Sequence, residues 1–241
     1  DSRTYLRWLP ELERRETFYE RNARKVNYNF SLAAGYIKEE ALDKEAHLFY
    51  KRLNQLLVWG SGRTAWVGGT KASKLVSEST MNCSAAIVDR LDVFVEALHL
   101  LALGCGFGFR VYPEDLAKLP HIKKEKLDLE IKDYQPLNPK DRSERTVFIK
   151  EKDSIICKVG DSREGWMESL AGLISILFGD LNSKYIPDSL KAIYSNLGGS
   201  GDEDLFKDIS KLIINTDSVR PHGERIKGFG GLASGPQPLW E

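Results

Sequence analysis

The sequence predicts an α/β fold with a largely parallel sheet. Three observations carry this reading. Strand-like runs at 81–88, 104–112 and 211–219 alternate with helical stretches. Residues 89–103, "DRLDVFVEALHLLAL", are apolar over most of a helical surface, as a helix between two layers is. The segment 162–179, "SREGWMESLAGLISILFG", sets Trp166, Leu170, Leu173, Ile174 and Leu177 on one face behind a serine cap.

Residues 1–30 are charged and aromatic and read as helical after Pro10. In 38–58, Leu42, Ala46, Phe49, Leu53 and Leu56/Leu57 recur at helical spacing and predict one amphipathic helix. Turn glycines frame the short apolar run of "WGSGRTAWVGGT" (59–70), and "MNCSAAIV" (81–88) reads as a buried strand. "GCGFGFRVY" (104–112) leaves the 89–103 helix through Gly104, a left-handed cap, into a strand. The polar, proline-broken stretch 113–160 holds strand-like pieces at "LDLEI" and "TVFIK" and predicts an insertion or hairpin layer. "SNLGGSGDEDLF" (195–206) predicts a disordered tip, and "KLIINTDSV" (211–219) a strand before the glycine-rich close. The domain reading is a helical region over 1–58, then a domain over 59–241 carrying the polar insertion around 113–160.

The 241 residues suffice for a substantial core, with 41% hydrophobic and 29% charged residues. Lys+Arg and Asp+Glu each number 35, which gives no reason to expect nucleic-acid binding. The longest apolar run, "LAGLISILFG", is half of a membrane span, so no membrane partner is expected. There is no secretory signal, and Cys83, Cys105 and Cys157 lack disulfide or zinc spacing. These features predict a reducing, cytoplasmic setting without a metal site.

Candidate chemistry is sparse. "GCGFGF" follows a helix instead of opening one, so it is not a dinucleotide fingerprint. Asp92, Glu96 and His99 share a helical stripe, but a carboxylate-bridged metal site needs a second copy, and none is present. Cys83, flanked by Asn82 and Ser84, reads either as a buried structural thiol or as a reactive one.

Six motifs occur together in order: "RTYLRWLPE" (3–11), "SGRTAWVGGT" (61–70), "NCS" (82–84), "GCGFGF" (104–109), "DSREGW" (161–166) and "VRPHGERIKGFGGLASGP" (219–236). This series resembles the first half of the catalytic subunit of the adenosylcobalamin-dependent ribonucleotide reductases, above all the monomeric ribonucleoside-triphosphate type. The resemblance runs from about residue 3 to the end. It implies the first half of a ten-stranded α/β barrel preceded by a helical region.

The resemblance also implies roles. Cys83 aligns with a redox cysteine facing the ribose, Asn82 and Ser84 flank the substrate, and Gly106 lets backbone approach the nucleotide. Ser61 falls near the ribose or phosphate, and Asp89 or Asp92 near the position that holds a deoxynucleotide effector. Implied partners are a ribonucleotide, a complementary C-terminal half or self-association, and a dithiol reductant such as thioredoxin. The implied cofactor is adenosylcobalamin. Two other readings stay open: an inactive nucleotide-binding or regulatory half-barrel, and a plain α/β domain with an inert Cys83. Cys105 is expected not to pair with Cys83.

Overall fold

A Thr17-x-x-Glu20 box sets the start of the first long helix. The Thr17 hydroxyl accepts from the Glu20 N–H (3.2 Å), and the Glu20 carboxylate accepts from the Thr17 N–H (2.7 Å). The computed structural model describes residues 4–197, 206–226 and 231–240. Within them, helical structure after Pro10 is a single 3-10 turn inside a small hairpin, β1 (Trp8–Leu9) against β2 (Arg14–Arg15). The helix α1 (Phe18–Ser31) begins only at the box, later than the proline suggests.

The next helix, α2 (Glu39–Asn54), stops short of the expected 58. Leu56 adopts φ +58°, a left-handed geometry, and the Leu57 N–H closes on the Arg52 carbonyl at 3.0 Å. That is a Schellman stop with a leucine where glycine is usual, and it leaves Leu56 and Leu57 exposed. Two short helices follow, α3 (Gly62–Val67) and α4 (Lys71–Leu75).

Strand β3 (Cys83–Ile87) leads through α5 (Asp92–Ala102) to β4 (Gly106–Arg110), which pairs with it. The Val88 N–H reaches the Arg110 carbonyl at 3.0 Å, so the two strands end together, as parallel neighbours do. Gly104 takes φ +76° at the helix exit, as its position after the apolar run requires. Two expectations change here. The strand expected over 81–88 is confined to Cys83–Ile87 and is not buried: its residues alternate between exposed and half-buried. Helix α5 buries Val93, Val95 and Ala97 but exposes Phe94 and Leu101, so it is covered on one side only.

After α6 (Pro113–Leu116) come β5 (Asp128–Ile131), β6 (Val147–Glu151) and β7 (Ser154–Lys158). The polar stretch therefore supplies a hairpin, β6–β7, turning at Lys152 (φ +54°). It also holds a third strand, "SIICK", that the sequence reading missed. Helix α7 (Arg163–Phe178) starts at Ser162, whose hydroxyl accepts from the Gly165 N–H (2.9 Å), and ends at Gly179 in the left-handed region. Then α8 (Asp188–Asn196) precedes β8 (Lys211–Asn215). The strand order is β5-β8-β7-β6, with β5, β8 and β7 parallel and β6 antiparallel. Most of the expected tip at 195–206 lies outside the described residues.

The chain divides into two compact units, Asp1–Cys83 with Leu103–Cys105, and Ser84–Ala102 with Gly106–Glu241. In the second, α7 and α8 pack on the four-stranded sheet around Phe148, Ile155, Ala171, Ile176, Leu190 and Leu212. The first is built differently. The Arg24 guanidinium donates to the Gly68 (2.6 Å) and Ala65 (3.1 Å) carbonyls near the end of α3, and Arg7 donates to the Trp66 carbonyl. Glu16 balances these cations, accepting from Arg24 Nε (2.7 Å) and the Arg7 N–H (3.0 Å).

Candidate functional site

Cys83 opens β3, separated by Met81 and Asn82 from a 3-10 turn over Ser77–Thr80, and all three residues are exposed. All three cysteines are thiols, but Cys105 and Cys157 are buried. Burial alone pushes the Cys157 thiol well above its ordinary range, which keeps it protonated and inert. Cys83 is therefore the cysteine that solvent and reagents reach.

In the same unit, Arg63 on α3 reaches the residue before Cys83. Its Nε donates to the Asn82 side-chain oxygen at 3.1 Å, one terminal nitrogen donates to the Leu103 carbonyl at 3.1 Å, and the other to the Gly104 carbonyl. The guanidinium lies over the Trp66 ring, 5.0 Å from its centre. Ser61, two residues earlier, is the exposed N-cap of α3, its hydroxyl accepting weakly from the Thr64 N–H (3.4 Å).

In the second unit, the Ser84 hydroxyl donates to the Gly106 carbonyl at 3.1 Å, joining the starts of β3 and β4. The structure separates the two acidic candidates. Asp92 lines a cleft of about 200 Å³ of mixed character, with Arg90, Asp180 and Asn182 beside Val95 and Ile174. Asp89 instead faces Lys118, with Nζ 3.8 Å from its carboxylate. Glu96 of the helical stripe pairs with Arg90 at 2.7 Å. Among the described residues, no group of three or more His, Cys, Asp and Glu side chains gathers to hold a metal.

Two further motifs meet at the carboxyl ends of β7 and β8, where open α/β sheets receive ligands. The Asp161 carboxylate of "DSREGW" accepts from the Arg220 N–H (3.0 Å) and Nε (2.9 Å) of "VRPHGERI". Arg142 is held by Glu224 at 2.8 Å. A cleft of about 330 Å³ opens there, lined by Ser162, Arg163, Trp166, Arg220, Ser234 and Gly235. The glycine-rich close folds back on itself, the Ala233 N–H reaching the Glu224 carbonyl at 2.8 Å, and ends in a 3-10 turn at Gln237–Leu239. Its centre, 227–230, lies outside the described residues.

Sequence reasoning missed Arg63 and the Asp161–Arg220 pair, although all three stand inside quoted motifs. The available signal was an arginine within an apolar run, since an arginine with no room to reach water must find acceptors.

The family model described as ribonucleotide reductase alpha domain matches residues 2–70. That of the B12-dependent ribonucleotide reductase insertion domain matches 202–241. An adenosylcobalamin-dependent ribonucleoside-triphosphate reductase of Lactobacillus gasseri is 31% identical over 99% of this chain and 34% of its own length. The protein of the same name from Lactobacillus delbrueckii subsp. bulgaricus is 28% identical over 98% of this chain and 33% of its own. A crystal structure of a B12-dependent (class II) ribonucleotide reductase superposes with a TM-score of 0.68 at 26% identity, over 99% of this chain and 34% of that one. The chain thus spans about a third of the length of the curated relatives it matches. Over that third, the chain is similar to the B12-dependent (class II) ribonucleotide reductases.

Proposed function

We propose that this chain is part of a cytoplasmic ribonucleotide reductase that converts ribonucleotides to 2'-deoxyribonucleotides by thiyl-radical chemistry. The observation that carries the reading is Cys83: the exposed thiol of the three, at a strand start between Asn82 and Ser84. Its role is that of one member of a redox pair. The two thiols give up two protons and two electrons and become a disulfide, while the C2' hydroxyl leaves the ribose as water. A dithiol such as thioredoxin then restores both thiols by exchange. The second cysteine of the pair comes from outside this chain, from a complementary half of the barrel.

Adenosylcobalamin, from which the family draws its radical, does not fit the clefts among the described residues. The apolar cleft beside Phe94, Leu101 and Phe109 measures about 500 Å³, and those beside His99, Asp92 and Arg220 less. A corrinoid exceeds even drug-sized sites of about 1,000 Å³. In this reading the remainder of the protein holds it, and this chain contributes Cys83, Asn82, Ser84, Ser61 and Gly106 around the nucleotide. Asp92, which lines a cleft while Asp89 faces Lys118, is the acidic residue of the two that this reading assigns to a deoxynucleotide effector.

The test is reduction of a ribonucleoside triphosphate by the full-length protein with adenosylcobalamin and a dithiol. Cys83→Ser should bind nucleotide and lose repeated turnover. Full turnover by this variant with the dithiol would refute the assignment.

A further inference from the structure

Arg63 is among the most buried charged side chains of its unit, 8% exposed, and it spends its donors on three acceptors from two segments. Two are the carbonyls of Leu103 and Gly104, and the third is the amide oxygen of Asn82. The glycine suits this contact: a Cβ on Gly104 would lie 3.4 Å from the guanidinium, and its φ of +76° disfavours any other residue. An arginine has no acceptor atom, so whatever faces Nε must be an oxygen. The orientation of the Asn82 amide is thereby settled by chemistry. Its oxygen is consumed by Arg63, and its NH2 group, which makes no hydrogen bond within the described residues, is what this exposed side chain offers beside Cys83.

We propose that Arg63 is a positioning residue that fixes Asn82 as a hydrogen-bond donor next to Cys83, so that the ligand group received there is an acceptor oxygen of a ribose or a phosphate. The inference rests on the reading of Cys83 as facing a nucleotide, and it adds the polarity of the neighbouring contact and the residue that sets it. It also ties the approach to Cys83 to Leu103–Cys105, so a shift of α3 is felt at the thiol.

The experiment uses the full-length protein with two variants and two readouts. The rate at which N-ethylmaleimide labels Cys83 is followed by mass spectrometry of its peptide. Binding of a ribonucleoside triphosphate is followed by equilibrium dialysis, with tripolyphosphate and the free ribonucleoside as competitors. Arg63→Lys keeps the charge but cannot span three acceptors. It should change Cys83 labelling about fivefold and weaken nucleotide binding about tenfold, the loss expected for a charge-assisted hydrogen bond. Asn82→Asp keeps an oxygen toward Arg63 and turns the outward donor into an acceptor. It should leave the melting temperature unchanged or raised while binding falls more than about tenfold.

Relief of the wild-type signal by tripolyphosphate alone assigns the oxygen to a phosphate, and relief by the ribonucleoside assigns it to the sugar. The proposal is overturned if Asn82→Asp binds nucleotide as the wild type does, or if a folded Arg63→Lys alters neither labelling nor binding. Absence of nucleotide binding in the wild type would instead refute the proposed function, and the labelling rates would still decide whether Arg63 positions the thiol.

Discussion

The two units solve the same problem of burial with different materials. Around the four-stranded sheet, contacts are apolar side chains from both layers, and Ile155, Ile176, Leu190 and Leu212 are wholly buried. In the helical unit, the largest wholly buried side chains are Arg21 and Lys25, and arginine forks hold backbone carbonyls at several joints. Apolar packing is insensitive to pH and tolerates solvent ions. A scaffold of guanidinium groups and one balancing carboxylate is not, because each buried charge must keep its partner. The difference implies that the two units answer differently to charge substitution and to acid.

No substitution is expected to have a larger effect than the removal of Glu16. Glu16→Ala leaves the half-buried Arg24 and Arg7 without their carboxylate and should cost about 3 kcal/mol. Burial alone would raise the Glu16 carboxyl, but the hydrogen bonds from Arg24 and the Arg7 N–H, with both cationic charges, more than offset it and hold the pKa below 4.5. A carboxylate lowered in the folded state stabilises above its unfolded pKa, and that stability is lost as pH falls through the folded value. Hydrogen exchange should therefore show α1 and α3 opening below about pH 4, ahead of β7 and β8, where the lowered carboxylates Asp153 and Asp217 lie at strand ends outside the apolar core. Equal opening of both units would erase the comparison.

The reciprocal perturbation acts on the sheet. A Cβ at Gly172 of α7 would fall within the Phe148 ring, so the helix sits on β6 only because that position lacks a side chain. Gly172→Leu should cost about 3 kcal/mol by overpacking. Denaturant melts should show it at every pH from 5 to about 9, since no titrating group takes part.

Lys25 gives the smallest effect, with the opposite sign. Desolvation first, and then the charge of Arg21, lower its pKa from 10.5 to about 8. A lysine lowered in the folded state makes stability rise with pH between those two values, because the unfolded chain binds the extra proton there. Lys25→Met should stabilise the helical unit by about 2 kcal/mol at neutral pH and abolish the rise between pH 8 and 10.5. A melting temperature that falls in Lys25→Met would mean that the ammonium has a partner worth more than its desolvation.

The same contrast explains what could be read from the sequence. Helices α5 and α7, the exit through Gly104 and strand β8 were legible because apolar periodicity and glycine geometry are local properties. Strand β7 was not, since "SIICK" is too short to separate from its hairpin partner by pattern alone. The early stop of α2 depends on a left-handed leucine that no propensity favours. For the site, chemistry pointed to Cys83 and its neighbours, but Arg63 stayed hidden. Its partners Leu103 and Gly104 lie about forty residues away and offer backbone carbonyls, which every residue carries.

The order β5-β8-β7-β6 has a consequence for synthesis on the ribosome. The hairpin β6–β7 can close as soon as it emerges, but β5 has no neighbour until β8 arrives between it and β7. Some 80 residues separate β5 from β8, which at roughly 5–20 residues per second is a wait of about 4–16 s. Throughout that interval the nascent chain presents β5 with unsatisfied backbone on both sides, joined, once residue 158 is made, by one open side of β7. The last strand of the sheet to be made is thus one of its two central strands, and a chaperone that shields those edges would act before residue 211 is translated.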